Sequence, residues 1–330
     1  MWCCPCESPG WELGLNVVHA NTGSNGSGDG RSLLAWARWQ LTMPADWRPL
    51  KLMGTPGKGQ MIVGDAVAAF FSIHWEQVRQ KSILDGSAWV RTRLGRHGVL
   101  PRAAPPAARH FSACGWAHDV QTQEGKQTTL WYGYAANADL VIGIKVNGVL
   151  PDEQRNRVTR EVLPSLCTSP ADGDSTWSMY DVSFEAPAGF QLVRRHLYAG
   201  DVALEFRRAG ERLMLRQVYP GDLALGRRRL ERWLDAVPFL GHRRVRRRST
   251  TTSGWQHASR QGLTGLWREG RKRLNWPLGW IAPRHAAALA VHDPGLNRLL
   301  IAEHSAATAA DRAICEKAID GMNRPGRGGA

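Results

Sequence analysis

The stretch Trp39-Gln-Leu-Thr-Met-Pro44-Ala-Asp-Trp47 has a counterpart later in the chain, Tyr180-Asp-Val-Ser-Phe-Glu-Ala-Pro187-Ala-Gly-Phe190. Each stretch begins with alternating apolar and polar residues, which predict a strand, and continues into a Pro-Ala turn and an aromatic residue. A second β-like run follows each turn, at residues 59–63 and at residues 200–206. The shared order predicts two similar domains in one chain.

Each predicted domain also ends in the same way, with a hairpin followed by a helix. Residues 128–146 and residues 286–303 each contain two apolar runs separated by turn residues, as in a β-hairpin. Helical spacing of apolar residues follows at 151–167 and at 308–322. We therefore expect the two units to superpose, with Pro44 matching Pro187 and Leu140 matching Leu299.

These patterns predict an α+β protein of two tandem domains, each an antiparallel sheet covered by helices, arisen by internal duplication. The Gly/Ser/Asn-rich run at 21–30 is too polar to fold by itself, so the N-terminal segment is expected to be disordered. The predicted boundaries are a disordered segment at 1–32, a first repeat at 33–168, a linker at 169–175, a second repeat at 176–322 and a flexible tail at 323–330.

The composition indicates a basic protein with an ordinary core. The chain has 330 residues, a net charge of +14, a hydrophobic fraction of 43% and a mean hydropathy of −0.36. Its length suffices for two domains, and it contains no apolar run long enough for a membrane helix. The first residues lack the basic start and apolar stretch of a signal peptide, so the sequence predicts a cytoplasmic protein.

The order of elements resembles the PsbP/DcrB-like fold. The residues that carry the resemblance are Trp39 to Trp47, Tyr180 to Phe190, and the closing segment from Trp131 to Leu166. The chain also resembles tandem proteins of planctomycete-type bacteria that contain this unit twice. The resemblance implies antiparallel sheets covered by helices and a role as an accessory, binding or assembly factor. It implies no enzymatic activity and no catalytic residues.

A basic tract between residues 243 and 273 is the strongest charge feature, and tryptophans 255, 267, 276 and 280 are interleaved with it. Cations among aromatic rings suit contacts with phosphates and stacking on unpaired bases. The alternative is a solvated loop or strand edge, where charge prevents aggregation. The candidate contact residues are Arg243, Arg244, Arg246, Arg247, Arg248, Arg271, Lys272 and Arg273.

A second cluster contains His110, Cys114, His118 and Asp119. A Cys–His pair can form a nucleophile, and the same residue types bind metals. The sequence offers no further identifiable ligand, and alternation along a strand would separate these side chains. The alternative is therefore that the cluster is incidental.

The sequence thus predicts a non-enzymatic binding or accessory protein that acts through contacts with another protein and needs no cofactor. The first alternative is a binder of nucleic acid or of an anionic surface through residues 243–273. The second is an enzyme or metal site at residues 110–119. We also expect most of the fifteen tryptophans to lie in the core.

Overall fold

The computed structural model describes residues 30–78, 83, 85–95, 111–121, 127–179, 182–236, 254–272, 284–307 and 309–323, with only the backbone at 118–121, 127, 271, 272, 284 and 323. These residues form three antiparallel sheets and a few helices. The prediction of antiparallel sheets with helices is confirmed, and strands dominate. In the described part of the chain, no helix has the length and apolar character needed to cross a membrane.

The central sheet contains strands from both halves of the chain. Its strands are β1 (Arg31–Trp36), β2 (Trp39–Pro44), β9 (Cys167–Thr168), β10 (Ser175–Met179) and β11 (Val182–Ala186). They lie in the order β11-β10-β1-β2-β9. β1 pairs with β10, and Ala35 is opposite Ser178. The predicted linker at 169–175 connects two strands of this sheet, so the two halves share it.

The first outer sheet, called the first sheet, has the order β3-β4-β5-β8-β7-β6. Its strands are β3 (Arg48–Gly54), β4 (Lys58–Gly64), β5 (Ala69–Gln77), β6 (Ala113–Gln121), β7 (Gln127–Ala135) and β8 (Leu140–Val146). Helix α1 (Gly86–Gly95) packs against β6 and β7. Helix α2 (Asp152–Arg157) continues as helical turns to residue 165, and these turns contact β2.

The second outer sheet, called the second sheet, has the order β12-β13-β14-β18-β17-β16-β15. Its strands are β12 (Gln191–Tyr198), β13 (Asp201–Arg208), β14 (Glu211–Val218), β15 (Gln256–Arg260), β16 (Leu263–Lys272), β17 (Arg284–Asp293) and β18 (Arg298–Ala306). Helices α3 (Gly221–Leu225) and α4 (Leu230–Ala236) follow β14, and α5 (Arg312–Asn323) packs between this sheet and β11.

The two outer sheets run through the chain in the same order. β3, β4, β5, β8, β7 and β6 occupy the positions of β12, β13, β14, β18, β17 and β16, and β15 is an additional edge strand. Both opening edge strands contain a β-bulge, at Leu50 in β3 and at Val193 in β12. The turn before each is also alike: the Trp47 amide donates to the Pro44 carbonyl at 3.1 Å, and the Phe190 amide donates to the Pro187 carbonyl at 3.2 Å.

One continuous hydrophobic core joins the three sheets. Trp36 and Trp177 of the central sheet have ring centroids 4.9 Å apart, and Trp177 lies 5.5 Å from Phe206 of the second sheet. Trp39 lies 5.7 Å from Trp75 of the first sheet. Of the eleven tryptophans that the structure describes, eight are buried, which confirms that most of them serve the core. A smaller cluster on the other face of the second sheet holds α3 and α4.

Several local predictions need correction. The sequence of residues 241–275 predicts a basic, turn-rich stretch, but residues 256–272 form the hairpin β15–β16. Residues 179–186 were expected as one strand, but β10 ends at Met179 and β11 begins at Val182. Residues 31 and 32 were assigned to the disordered segment, but they begin β1; residues 1–29 lie outside the described part of the chain. The remaining domain boundaries stay a prediction.

Candidate functional site

Most of the predicted basic tract lies outside the described residues. These are Arg243, Arg244, Arg246, Arg247, Arg248 and Arg273. Arg271 and Lys272 end β16, where their backbones lie opposite His285 and Arg284. Arg268, in the same tract, places Nη1 3.0 Å from Oδ1 of Asp235 and stacks 5.3 Å above the ring of Trp255. Arg268 therefore serves contacts within the fold.

The structure describes only part of the cluster at 110–119. His110 lies outside the described residues, and His118 and Asp119 fall at an irregularity of β6 between Ala117 and Val120. Cys114 is half-buried in β6, and burial raises the pKa of its thiol. A raised pKa lowers the thiolate fraction, so this environment does not activate Cys114 as a nucleophile. Among the described residues, no group of three or more His, Cys, Asp or Glu side chains could hold a metal ion.

A buried histidine that the sequence analysis did not single out lies where β18 meets the start of α5. The Asp311 amide donates to His304 Nδ1 at 2.9 Å, so Nε2 carries the proton and donates to Glu211 Oε2 at 3.2 Å. Arg208 Nη2 also donates to Glu211 Oε2, at 2.8 Å. Both nitrogens of His304 thus bind groups of the protein itself, and the cluster fixes the loop that precedes α5.

These contacts also set the charge state of Glu211. Burial alone would raise the pKa of Glu211, but hydrogen bonds from Arg208 and His304 outweigh it and hold the pKa below its ordinary value. A carboxylate with a lowered pKa in the folded state stabilises the fold above its unfolded pKa. That contribution is lost as the pH falls through the folded pKa.

We expect the melting temperature of Glu211→Gln to fall less than that of the wild type as the pH is lowered. The variant should melt below the wild type at neutral pH, and the difference should shrink as the pH is lowered. Melting curves between neutral pH and the acid range measure this. Glu153→Gln, at an exposed position of α2, is the control and should follow the wild type. Parallel curves for Glu211→Gln and the wild type would contradict the role of this carboxylate.

A cleft of about 520 Å³ lies between α5, β11 and β15. Its charged side chains pair with one another. Arg260 Nε donates to Asp320 Oδ1 at 2.8 Å, and Lys317 contacts Asp174. Arg312 Nε lies 2.8 Å from Glu316 Oε1. The Arg260–Asp320 pair holds α5 against β15, and the Lys317–Asp174 pair holds it against the segment before β10, whereas Arg312–Glu316 is a pair within α5. We therefore assign the cleft a structural role.

The exposed apolar side chains concentrate on the second half of the chain. Seven large hydrophobic side chains are exposed among the described residues, and five of them belong to β12 or to the nearby end of the second sheet. They are Val193, Tyr198 (66% exposed), Tyr219, Leu223 (78% exposed) and Leu296. Four of them, all but Val193, lie at the same end of the second sheet, and contiguous exposed apolar surface marks interaction sites.

Hydrogen bonds bring the three segments of this surface together. The Tyr219 amide donates to the Gly200 carbonyl at 2.7 Å, so Tyr219 lies against the turn that follows Tyr198. The amides of Gly221 and Asp222 donate to the carbonyl and to Oδ1 of Asn297, at 2.5 and 2.8 Å. The turn 293–297 and helix α3 are therefore neighbours. Gly200 has a φ of +80°, and a Cβ at this position would lie 2.2 Å from the Tyr219 carbonyl oxygen, so a side chain there would push the two segments apart.

An ion pair between β14 and the turn 198–201 fixes the position of that turn. Arg216 on β14 donates from Nε and Nη2 to both carboxylate oxygens of Asp201, at 2.8 and 2.7 Å. The guanidinium of Arg216 also lies 5.9 Å from the ring centroid of Trp233 in α4. Bidentate arginine–carboxylate pairs are geometrically specific, so this pair fixes the position of the turn 198–201 relative to α4.

Three exposed arginines follow α3 directly. Residues 227–229 are all arginine and all exposed, and none forms an ion pair with a described residue. Arg228 bends back to α3, and its Nη2 lies 3.5 Å from the Ala224 carbonyl. We call the combined feature the Tyr–Arg surface. It consists of Tyr198, Tyr219, Leu223, Arg227, Arg228, Arg229 and Leu296.

Sequence reasoning did not identify the Tyr–Arg surface. The sequence predicts a strand at 212–218 and helical spacing from Leu230, and it predicts no element between them. One signal was present: Pro220-Gly-Asp-Leu-Ala-Leu-Gly226 ends in a glycine and is followed by three arginines. A short helix with its own basic flank is consistent with that pattern, but the exposure of Leu223 depends on packing between distant segments.

No protein-family model matches the sequence, and no curated protein matches it. Among solved structures, the chain is similar to the apo structure of the immunity protein TplEi of the T6SS from Pseudomonas aeruginosa. The two share 13% sequence identity with a TM-score of 0.33, and the match covers 88% of this chain and 96% of that chain.

Proposed function

We propose that this protein is a non-enzymatic binding protein, built from two copies of one α+β unit, that contacts a protein partner through the Tyr–Arg surface. The observation that carries the proposal is the concentration of exposed aromatic, leucine and arginine side chains at one end of the second sheet. Tyrosine and arginine are enriched among the residues that contribute most to protein–protein binding.

The common strand order of the outer sheets supports the duplication. Ser178 follows Ala35 by 143 positions, Pro187 follows Pro44 by 143, and the bulged Val193 follows Leu50 by 143. Ala35 and Ser178 face each other in an antiparallel pair. Equivalent residues that face each other in this way are related by a local two-fold axis, as in a symmetric dimer. This arrangement agrees with the tandem unit that the PsbP/DcrB-like resemblance implies.

One expected match in this duplication shifts by a residue. Leu140 and Arg298 each begin a strand after the closing turn, opposite Ala135 and Asp293 respectively. Under the proposed duplication Leu140 therefore matches Arg298, where Leu299 was expected. The sequence pattern favours Leu299 because it is the first apolar residue of β18. In the structure, Leu299 packs on the face of the second sheet that is opposite the main core.

The two copies differ where a binding surface would be expected to differ. In the first half, the exposed large hydrophobic side chains that the structure describes are Val67 and Val149, which lie at the opposite end of the sheet, beside the β4–β5 turn and after β8. The Tyr–Arg surface thus belongs to the second copy alone. The Tyr–Arg surface is present in one copy only, so the core that the two copies share does not require it. This supports a functional role for the surface.

Site-specific photocrosslinking in the native host tests the proposal. Benzoylphenylalanine at Tyr198, Tyr219 or Leu223 should give a discrete adduct with one protein, because these side chains are expected to be covered in the complex. The same probe at Val67 or Val149 is the matched control, since both are also exposed. Equal adducts at all positions, or none at the Tyr–Arg surface, would contradict the proposal.

The nucleic-acid alternative depends on arginines outside the described residues and has its own test. Replacing the five arginines of 243–248 should weaken DNA or RNA binding at all sequences and flatten its salt dependence, because each phosphate contact releases counterions. Binding of single-stranded oligonucleotides at two salt concentrations measures this. No binding by the wild type at low salt would remove this alternative.

A further inference from the structure

We infer that the partner of the Tyr–Arg surface is an acidic protein segment that carries at least one large apolar side chain. The inference rests on the proposed function and specifies the chemistry of the partner. It follows from the balance of charges at this surface and from the types of residue that form it.

The exposed arginines of this surface outnumber the nearby carboxylates that lack an arginine partner. Asp201 is held by both nitrogen donors of Arg216. Asp293 lies 3.1 Å from Nε of Arg298. Among the described residues, Asp222, 3.6 Å from the imidazole of His292, and Glu231 have no arginine partner. Arg227, Arg228 and Arg229 form no ion pair with a described residue. The surface therefore carries an excess of positive charge, and a complementary partner must supply carboxylates.

The cations of this surface are arginines, with no lysine among the described residues from 182 to 236. Arginine forms paired hydrogen bonds with carboxylates and stacks on aromatic rings, and its guanidinium is more weakly hydrated than an ammonium group. Lysine is depleted at protein interfaces, whereas tyrosine and arginine are enriched. The composition favours a protein partner over a purely electrostatic ligand.

The apolar part of the surface sets a second requirement. Tyr198 and Leu223 present most of their side chains to solvent, at 66% and 78% exposure. A partner made only of carboxylates would leave this apolar area in water, while an apolar side chain among the carboxylates would cover it. Burying apolar surface yields roughly 25 cal/mol per Å², so the partner gains affinity from such a residue. Acidic residues that flank a leucine or an aromatic residue meet both requirements.

A phage-displayed library of random twelve-residue peptides, panned against the full chain, tests the inference. The enriched peptides should contain several Asp or Glu residues around Leu, Phe, Tyr or Trp. A synthetic peptide of the enriched sequence should then bind the wild type, and raising the salt concentration should weaken that binding.

Two charge-reversal variants locate the binding. R227E/R228E/R229E changes the Tyr–Arg surface, while K51E/R91E/R160E changes three exposed cations of the first half and lowers the net charge by the same amount. We expect the first to weaken binding of the acidic peptide at least about tenfold, and the second to change it by less than about threefold. Both variants should keep the melting temperature of the wild type, because all six positions are exposed.

Several outcomes would overturn the inference. Enriched peptides without acidic residues would exclude an acidic partner, as would equal effects of the two variants. Another contrary outcome is that the wild type binds vesicles containing phosphatidylglycerol, or a single-stranded oligonucleotide, more tightly than it binds the acidic peptide. If R227E/R228E/R229E abolishes that binding, the surface belongs to a membrane or to nucleic acid. If photocrosslinking gives an adduct at Tyr198 but panning yields no acidic peptides, the proposed function stands and only this inference fails. If no adduct forms, the proposed function itself fails.

Discussion

Val162→Asp and Ile319→Asp will each unfold the whole chain. Both side chains are 1% exposed, Val162 in the helical turns after α2 and Ile319 in α5, and both belong to the same hydrophobic core. A buried carboxylate without a partner is strongly unfavourable, so each change should cost more than about 4 kcal/mol. That is a large part of the roughly 5–15 kcal/mol that stabilises a typical protein.

The continuity of the core is the reason to expect loss of both halves. Trp36, Trp39 and Trp177 of the central sheet contact aromatic residues of either outer sheet or of each other. When one half unfolds, the apolar side chains of the central sheet become exposed to solvent, and we expect the other half to unfold with it. Cys315 reports on this, because burial raises the pKa of its thiol to about 12 and the folded protein protects it.

The measurement is alkylation of Cys315, located by peptide mass spectrometry, together with thermal melting. In Val162→Asp, a change in the first half, Cys315 of the second half should become reactive. Val67→Asp introduces the same residue at a position that is 93% exposed, and it should melt like the wild type. Unfolding in Val162→Asp with Cys315 still protected would show that the halves are independent. Normal melting would show that position 162 tolerates charge.

Local sequence patterns predicted the strands that are buried on one face or end at a clear turn. The closing hairpins β7–β8 and β17–β18 were found because apolar runs flank turn residues at 135–139 and 293–295. The sequence does not predict β1 as a separate strand, because Ser32-Leu-Leu-Ala-Trp36 does not alternate. The second half of β1, residues 34–36, is buried on both faces. The pairing of Ala35 with Ser178 joins residues far apart in sequence, and no local pattern encodes it.

The candidate site was less predictable than the fold for a related reason. The sequence analysis selected clusters of charge or of ligand types that are close in sequence. The Tyr–Arg surface instead depends on three separate segments, around 198, 219–229 and 296, which meet through hydrogen bonds to Gly200 and Asn297. Tyrosine and leucine in a sequence give no sign of whether they will be covered, so this exposure was visible only once the sheet order was known.

Arg212→Met should be the most damaging single change on the outer face of the second sheet. Glu205 on β13 is 4% exposed, and Arg212 on β14 places Nε 2.9 Å from Oε1 and Nη2 3.1 Å from Oε2 of this carboxylate. Removing the guanidinium leaves a buried carboxylate whose remaining described ion pair is with the exposed Arg207, at 3.3 Å. Breaking one partner of a buried ion pair typically costs about 3–5 kcal/mol.

The double variant Glu205→Leu/Arg212→Met tests whether the loss of stability in Arg212→Met comes from the unpaired Glu205 carboxylate. Because replacing both charges removes the buried carboxylate as well, the double variant should recover to within about 2 kcal/mol of the wild type. Arg207→Met is the control, and it should cost less than about 1 kcal/mol because Arg207 is 66% exposed and water screens its charge. Free energies of unfolding from urea titrations of the four proteins measure these effects. If the double variant is as unstable as Arg212→Met, the arginine stabilises the sheet mainly by packing its side chain, and the ion pair with Glu205 is secondary.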